Sequence, residues 1–177
     1  MPAHLAKAAL AVTTTAALAL TTAPARAADP DPAEWAQLVP TYAATAKYLY
    51  VPNALADGYE PNPCTVDVAG GQGAMGYHYI NTSLYGSLDP ARPTALLYED
   101  DGVGGRRLTG VEWIVKADKD TPRPKMFGHD FEGPVTPHGS TIPTHYSLHA
   151  WIYKNNPSGL FFEWNPDVKC PYPGAPG

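Results

Sequence analysis

Two hydrophobic periods divide the chain. Between Ala33 and Tyr50 apolar residues recur at helical spacing, and Trp35, Leu38, Val39, Tyr42, Ala46 and Leu49 fall near one face. Asp31 or Asp29 suits the N-cap of this helix and Pro32 its first turn, while Pro40 should kink or divide it. A second short helix is predicted over Asn53 to Asp57, ending at Gly58. Tyr59 to Cys64 carries two prolines and reads as loop.

From Cys64 onward the period shortens. Runs of β-type residues at Thr65–Val68, Met75–Ile80, Thr94–Glu99, Arg107–Lys116 and Tyr146–Lys154 are punctuated by Gly and Pro, with a last short strand expected within Leu160–Trp164. The Gly-rich turn Asp100 to Gly105 joins two of these runs, so Thr94 to Lys116 reads as a β-hairpin. Ala117 to Thr144 holds five prolines and reads as a long loop of the kind that often borders a site. The expected fold class is α+β: an N-terminal helical segment (28–60) packed on an antiparallel β-sheet or partly closed small β-barrel (64–170).

The front of the chain changes the picture of where this fold works. Lys7 precedes a largely apolar run from Ala8 to Leu20, and Ala25-Arg26-Ala27 fits a signal-peptidase site. Residues 1–27 therefore read as a signal peptide and 28–177 as a single secreted domain. The apolar run is short of the roughly 20 residues that a membrane span needs. The whole chain carries a net charge of -5, and losing Lys7 and Arg26 makes the remainder more acidic. That argues against nucleic acid as a partner, and no later segment is apolar enough for a membrane span. Cys64 and Cys170, the two cysteines, both lie in the exported part and are expected to form a disulfide.

Candidate chemistry lies in the strands. His78 sits in Gly-Tyr-His-Tyr-Ile, Glu112 in Gly-Val-Glu-Trp-Ile-Val and His149 in Ser-Leu-His-Ala-Trp-Ile-Tyr, each a lone polar side chain in an apolar run. A buried carboxylate is costly unless it is paired or bound to a cation. Neighbouring strands lie about 4.8 Å apart, so side chains on one face can meet at one ion. Two His and one carboxylate suit Fe, Zn, Mn or Cu with an open position. Without metal, the same three residues make a His–Glu hydrogen-bond network, or Glu112 faces water on an edge strand.

Other motifs are weaker. His145 and His149 have the HxxxH spacing of a zinc helix, but their segment alternates like a strand, where residues four apart stand about 13 Å from each other. His129 and His138 fall in the Pro-rich loop and read as solvated, unless folding of that loop brings His129 to the site. Ser147 lacks a nucleophile elbow, and Gly70 to Gly73 lacks the Lys-Ser/Thr of a phosphate loop. Trp151, Tyr153, Phe161, Phe162 and Trp164 belong to the core or line an apolar cavity.

Three stretches resemble a group of exported bacterial proteins of unassigned function. They are Ala54 to Tyr59, Gly73 to Tyr79, and Leu148 to Trp151 followed by Asn156-Pro157-Ser158-Gly159 and Trp164-Asn165-Pro166. The resemblance implies export and a shared fold, and no reaction. Two functions from different classes follow. One is a secreted small domain that binds a metal ion or small ligand at His78, Glu112 and His149, with or without catalysis, next to Tyr77, Trp151 and Trp164. The other is a non-catalytic extracellular binding or structural domain whose buried His and Glu are hydrogen-bonded and hold no metal.

Overall fold

The computed structural model describes residues 31–136 and 142–170; the expected signal peptide and His138 lie outside them. Helix α1 spans Pro32–Thr45 and tightens into a 3₁₀ turn at Ala46–Leu49. The Asp31 carboxylate accepts the Ala33 N–H at 2.8 Å and Pro32 opens the first turn. Pro40 does not divide the helix, which runs unbroken to Thr45.

The buried face of α1 differs from the expected one. Leu38, Thr41, Thr45 and then Tyr48 point inward, whereas Val39, Tyr42 and Leu49 are 62%, 46% and 56% exposed. Two threonines occupy the inner stripe, so hydrophobicity alone reads the face rotated. The Thr45 hydroxyl donates to the Thr41 carbonyl at 2.7 Å and lies 2.9 Å from the Tyr153 hydroxyl, which makes its burial tolerable. Helix α2 (Val51–Ala56) ends at Gly58, whose φ of +84° suits a residue without Cβ.

Six strands form a curled, half-barrel sheet in the order β1-β2-β3-β4-β8-β7, every pair antiparallel. They are β1 (Glu60–Val66), β2 (Ala74–Ile80), β3 (Ala95–Asp100), β4 (Arg106–Lys116), β7 (Glu132–Val135) and β8 (His145–Ala150). Strands β5 (Lys125–Met126) and β6 (His129–Asp130) make a separate ribbon. The β3–β4 hairpin is the expected one, and the fold is the expected α+β.

Three expectations are corrected. Glu60–Cys64, read as loop, belongs to edge strand β1; Pro61 and Pro63 are tolerated because an edge needs no partner on one side, and the register shifts between Pro61 and Cys64. Ladder pairing in β8 stops at Ala150, so Trp151–Lys154 are not strand. Leu160–Trp164 is turn and coil; Leu160 and Phe161 enter the core from a loop rather than from a sheet. The expected long loop also holds some order, since β7 lies within it and forms one sheet edge.

Alternation along the strands sorts the side chains onto two faces. Tyr79, Leu96, Tyr98, Val111, Trp113, Tyr146 and Leu148 pack with α1, α2 and the loop residues Phe131 and Phe161 into the larger core. On the opposite face lie two smaller apolar clusters. Ile80, Ala95 and Ile114 form one, with Tyr85 and Ile142 against it. Ala74, Leu97, Trp151 and Val168 form the other. Cys64 and Cys170 are joined, with Cα atoms 5.8 Å apart, which ties the C-terminal segment to β1. No helix among the described residues is long and apolar enough to cross a membrane.

Candidate metal centre

The three lone polar residues of the strands share this second face. In the β4–β8 ladder Glu112 stands opposite His149, and in the β3–β4 ladder it stands opposite Ala95. His78 on β2 pairs with Leu97, two residues along β3 from Ala95 and on the same face. Ala95, the β3 partner of Glu112, presents only a methyl group on this face. One ligand atom from each of His78, Glu112 and His149 lies within 4.8 Å of the others. His78 Nε2 is 3.5 Å from Glu112 Oε2, and His149 Nε2 is 3.7 Å from Glu112 Oε1.

The cluster is buried and incompletely hydrogen-bonded. Side-chain exposure is 8% for His78, 4% for Glu112 and 1% for His149. Separations of 3.5 and 3.7 Å are too long for hydrogen bonds. Glu112 Oε2 and both ring nitrogens of His149 have no hydrogen-bond partner. Stranding such groups ordinarily costs about 1–3 kcal/mol each, more where charge is involved. Donors in a tetrahedral arrangement at about 2.0–2.2 Å from a metal stand roughly 3.3–3.6 Å apart, close to these separations.

Burial sets the protonation of the three groups. Desolvation pushes the Glu112 carboxyl up to about 8, against a lowering hydrogen bond from Ser147 and with a further push from the Glu163 charge. Desolvation pulls His78 down to about 4, opposed by its hydrogen bond with the Gly76 backbone and aided by His145. Burial also lowers His149 well below the ordinary histidine range, with His78 and His145 adding to it. The neutral imidazoles present nitrogen lone pairs, which is what a metal requires of them. Gly76 has φ +89°, and a Cβ there would strike the Tyr98 carbonyl, so this part of the His78 support admits only glycine.

Other residues named from the sequence fall in varied places. Trp151 is buried beside His149, ring centroids 6.4 Å apart, and its Nε1 donates to the Phe162 carbonyl at 2.6 Å. Tyr77 lies on the other face of β2 from His78, under the Arg106 guanidinium at 3.8 Å, because adjacent strand residues point oppositely. It therefore does not line the cluster. Trp164 is half-buried in the C-terminal loop, where its carbonyl accepts from Asn156 at 2.9 Å. His129 stays away from the cluster: it pairs with Glu34 of α1 at 3.1 Å and packs on Phe161. His145 is on a strand, outside the three-donor group, with Nδ1 2.7 Å from the Pro143 carbonyl. Ser147, considered from the sequence only as a nucleophile, lies by alternation from His149 on the Glu112 face, where it acts to lower the carboxyl pKa against the larger effect of burial.

The chain matches no protein-family model, no curated protein and no solved structure. The functional reading therefore rests on the site itself. Two neutral imidazoles and one carboxylate form a donor set of borderline softness, suited to a divalent first-row transition metal and leaving positions open to other ligands.

Proposed function

We propose that this chain is an exported small domain that binds one divalent transition-metal ion, Fe, Zn, Mn or Cu, through His78, Glu112 and His149. The observation that carries the reading is the set of orphaned polar atoms, Glu112 Oε2 and both His149 ring nitrogens, buried in a group that meets on one sheet face. A bound cation gives these lone pairs a partner and reverses the cost of a buried carboxylate. The competing reading, a metal-free hydrogen-bond network, needs bonds that separations of 3.5 and 3.7 Å do not supply. The disulfide fits an oxidising compartment, in agreement with the leader that residues 1–27 resemble.

The test is elemental analysis and titration of protein purified without a His-tag. One equivalent of metal is expected in the wild type, falling sharply in Glu112→Gln. Wild-type protein that takes up no metal, and whose melting temperature ignores both chelator and added ion, overturns the proposal.

A further inference from the structure

We propose that the metal held by His78, Glu112 and His149 keeps open coordination positions, and that a small anion with an oxygen or nitrogen donor reaches them by way of the cavity beside Lys116. The inference rests on the metal reading above and names the class of ligand that the same site would take.

The donor count is the first support. Among the described residues the group has three members, and no fourth His, Cys, Asp or Glu joins it. Closed structural zinc sites use four protein ligands, whereas three-ligand sites complete themselves with water or an exogenous donor. Charge is the second support. Two neutral imidazoles and one carboxylate leave a divalent ion with a net charge of about +1 in a water-poor site, and a monovalent anion cancels it.

A route is the third. A cavity of about 430 Å³ opens where β2 and β4 end and β1 begins, lined by Glu60, Asn62, Ile80, Tyr85, Lys116 and Pro143 among others. It lies on the face that carries the cluster: Ile80 follows His78 by two residues on β2, and Lys116 follows Glu112 by four on β4. Along the strands from the cluster toward the cavity come Ile80 and Ile114, which pack with Ala95 and Tyr85. Tyr85 belongs to both environments, since it lines the cavity and packs against Ile80, Ala95 and Ile114.

The cavity itself selects for charge. Lys116 Nζ rests 4.7 Å over the Tyr85 ring at its wall, and Lys116 forms no ion pair among the described residues. Glu60 is the acid in the lining and does not reach Lys116 within ion-pair distance. Lys116 is the cation of this lining, which also carries Glu60, Asn62 and Thr82, and its ammonium gives a small anion a charged contact at the mouth.

The experiment uses the full mature chain loaded with Co(II), whose visible spectrum reports coordination number, titrated with azide. Azide should change the spectrum saturably, and Lys116→Glu should weaken azide about three- to tenfold while leaving Co(II) affinity unchanged. Lys116 is exposed at the strand end, so the substitution leaves the fold intact. A Co(II) spectrum that ignores azide in large excess overturns the open-site proposal and leaves the metal reading standing. Equal azide affinity in Lys116→Glu overturns the route. Absence of Co(II) binding overturns the metal reading, and the anion proposal falls with it.

Discussion

Glu112 is the residue whose ionisation decides what the cluster does. Its carboxyl is held protonated up to about 8 by burial, while His78 is already neutral above about 4. Metal binding must therefore expel the Glu112 proton. Affinity should rise about tenfold per pH unit between these limits and flatten above them, with close to one proton released per ion. Calorimetry in buffers of different ionisation enthalpy reads that proton directly; a pH-independent affinity would contradict the assignment. The sign for metal-free stability is opposite. A carboxyl whose folded pKa is raised contributes fully below its unfolded value near 4.5, and its contribution is lost as pH rises toward 8. Metal-free Glu112→Gln should thus match wild type in acid and exceed it by up to a few kcal/mol near pH 8, measured by thermal or denaturant unfolding. Were Glu112 paired with a protonated histidine, the substitution would do its greatest damage at low pH. The three donors were legible in the sequence because each interrupts an apolar strand. The role of Ser147 was not, since the sequence offers it only as a nucleophile without an elbow and the register alone places it on the face of the carboxylate.

Elements were legible where one period dominates and obscure where side-chain chemistry breaks it. β2, β3 and β4 follow their apolar runs closely, and their register brings the cluster together. β1 was hidden by Pro61 and Pro63, which sequence reasoning assigns to loops although an edge strand tolerates them. The aromatic run Leu160–Trp164 misleads in the other direction: Phe161 fills the core from a loop, so its hydrophobicity says nothing of a ladder. The β5–β6 ribbon shows the same priority of packing over backbone preference. Its two-residue turn is Phe127-Gly128, with φ of +53° and +83°, and phenylalanine is poorly suited to the first of these. The ring nevertheless packs 5.2 Å from Trp113 and 5.8 Å from Phe161. Asparagine would relax the backbone by about 1 kcal/mol and forfeit about 2–3 kcal/mol of aromatic packing. Phe127→Asn should therefore destabilise the protein by about 1–2 kcal/mol in chemical denaturation. A stabilised variant would mean that strain outweighs the aromatic contact.

At the scale of the whole molecule, the C-terminal segment links the disulfide to the candidate metal centre. After β8 the chain leaves the sheet, and Trp151 and Val168 return with Ala74 and Leu97 to form one apolar cluster on the face that carries His78, Glu112 and His149. Polar contacts fasten the same segment. Asn165 and Ala74 exchange backbone hydrogen bonds at 3.0 and 3.1 Å, and buried Glu99 accepts from Lys154 at 2.8 and 2.9 Å. The Cys64–Cys170 bond fixes the end of this covering to β1 across a sequence separation of 106. For a loop of that length the chain-entropy argument gives about 4–5 kcal/mol of stabilisation at most. Thiol titration of unfolded, unreduced protein should find no free thiol. Reduction, or the paired change Cys64→Ser and Cys170→Ser, should lower stability by about 2–5 kcal/mol. It should also weaken metal binding, because a looser cover admits water to the donors and lowers the cost of leaving them without a cation. The two effects are separable: the Lys154→Met change leaves buried Glu99 with less compensation and should destabilise without touching the donors, by about 3 kcal/mol. If the disulfide variant loses stability yet binds metal as tightly as the wild type under conditions where both are fully folded, the C-terminal segment is a structural staple alone and the dryness of the cluster is set by the strands beneath it.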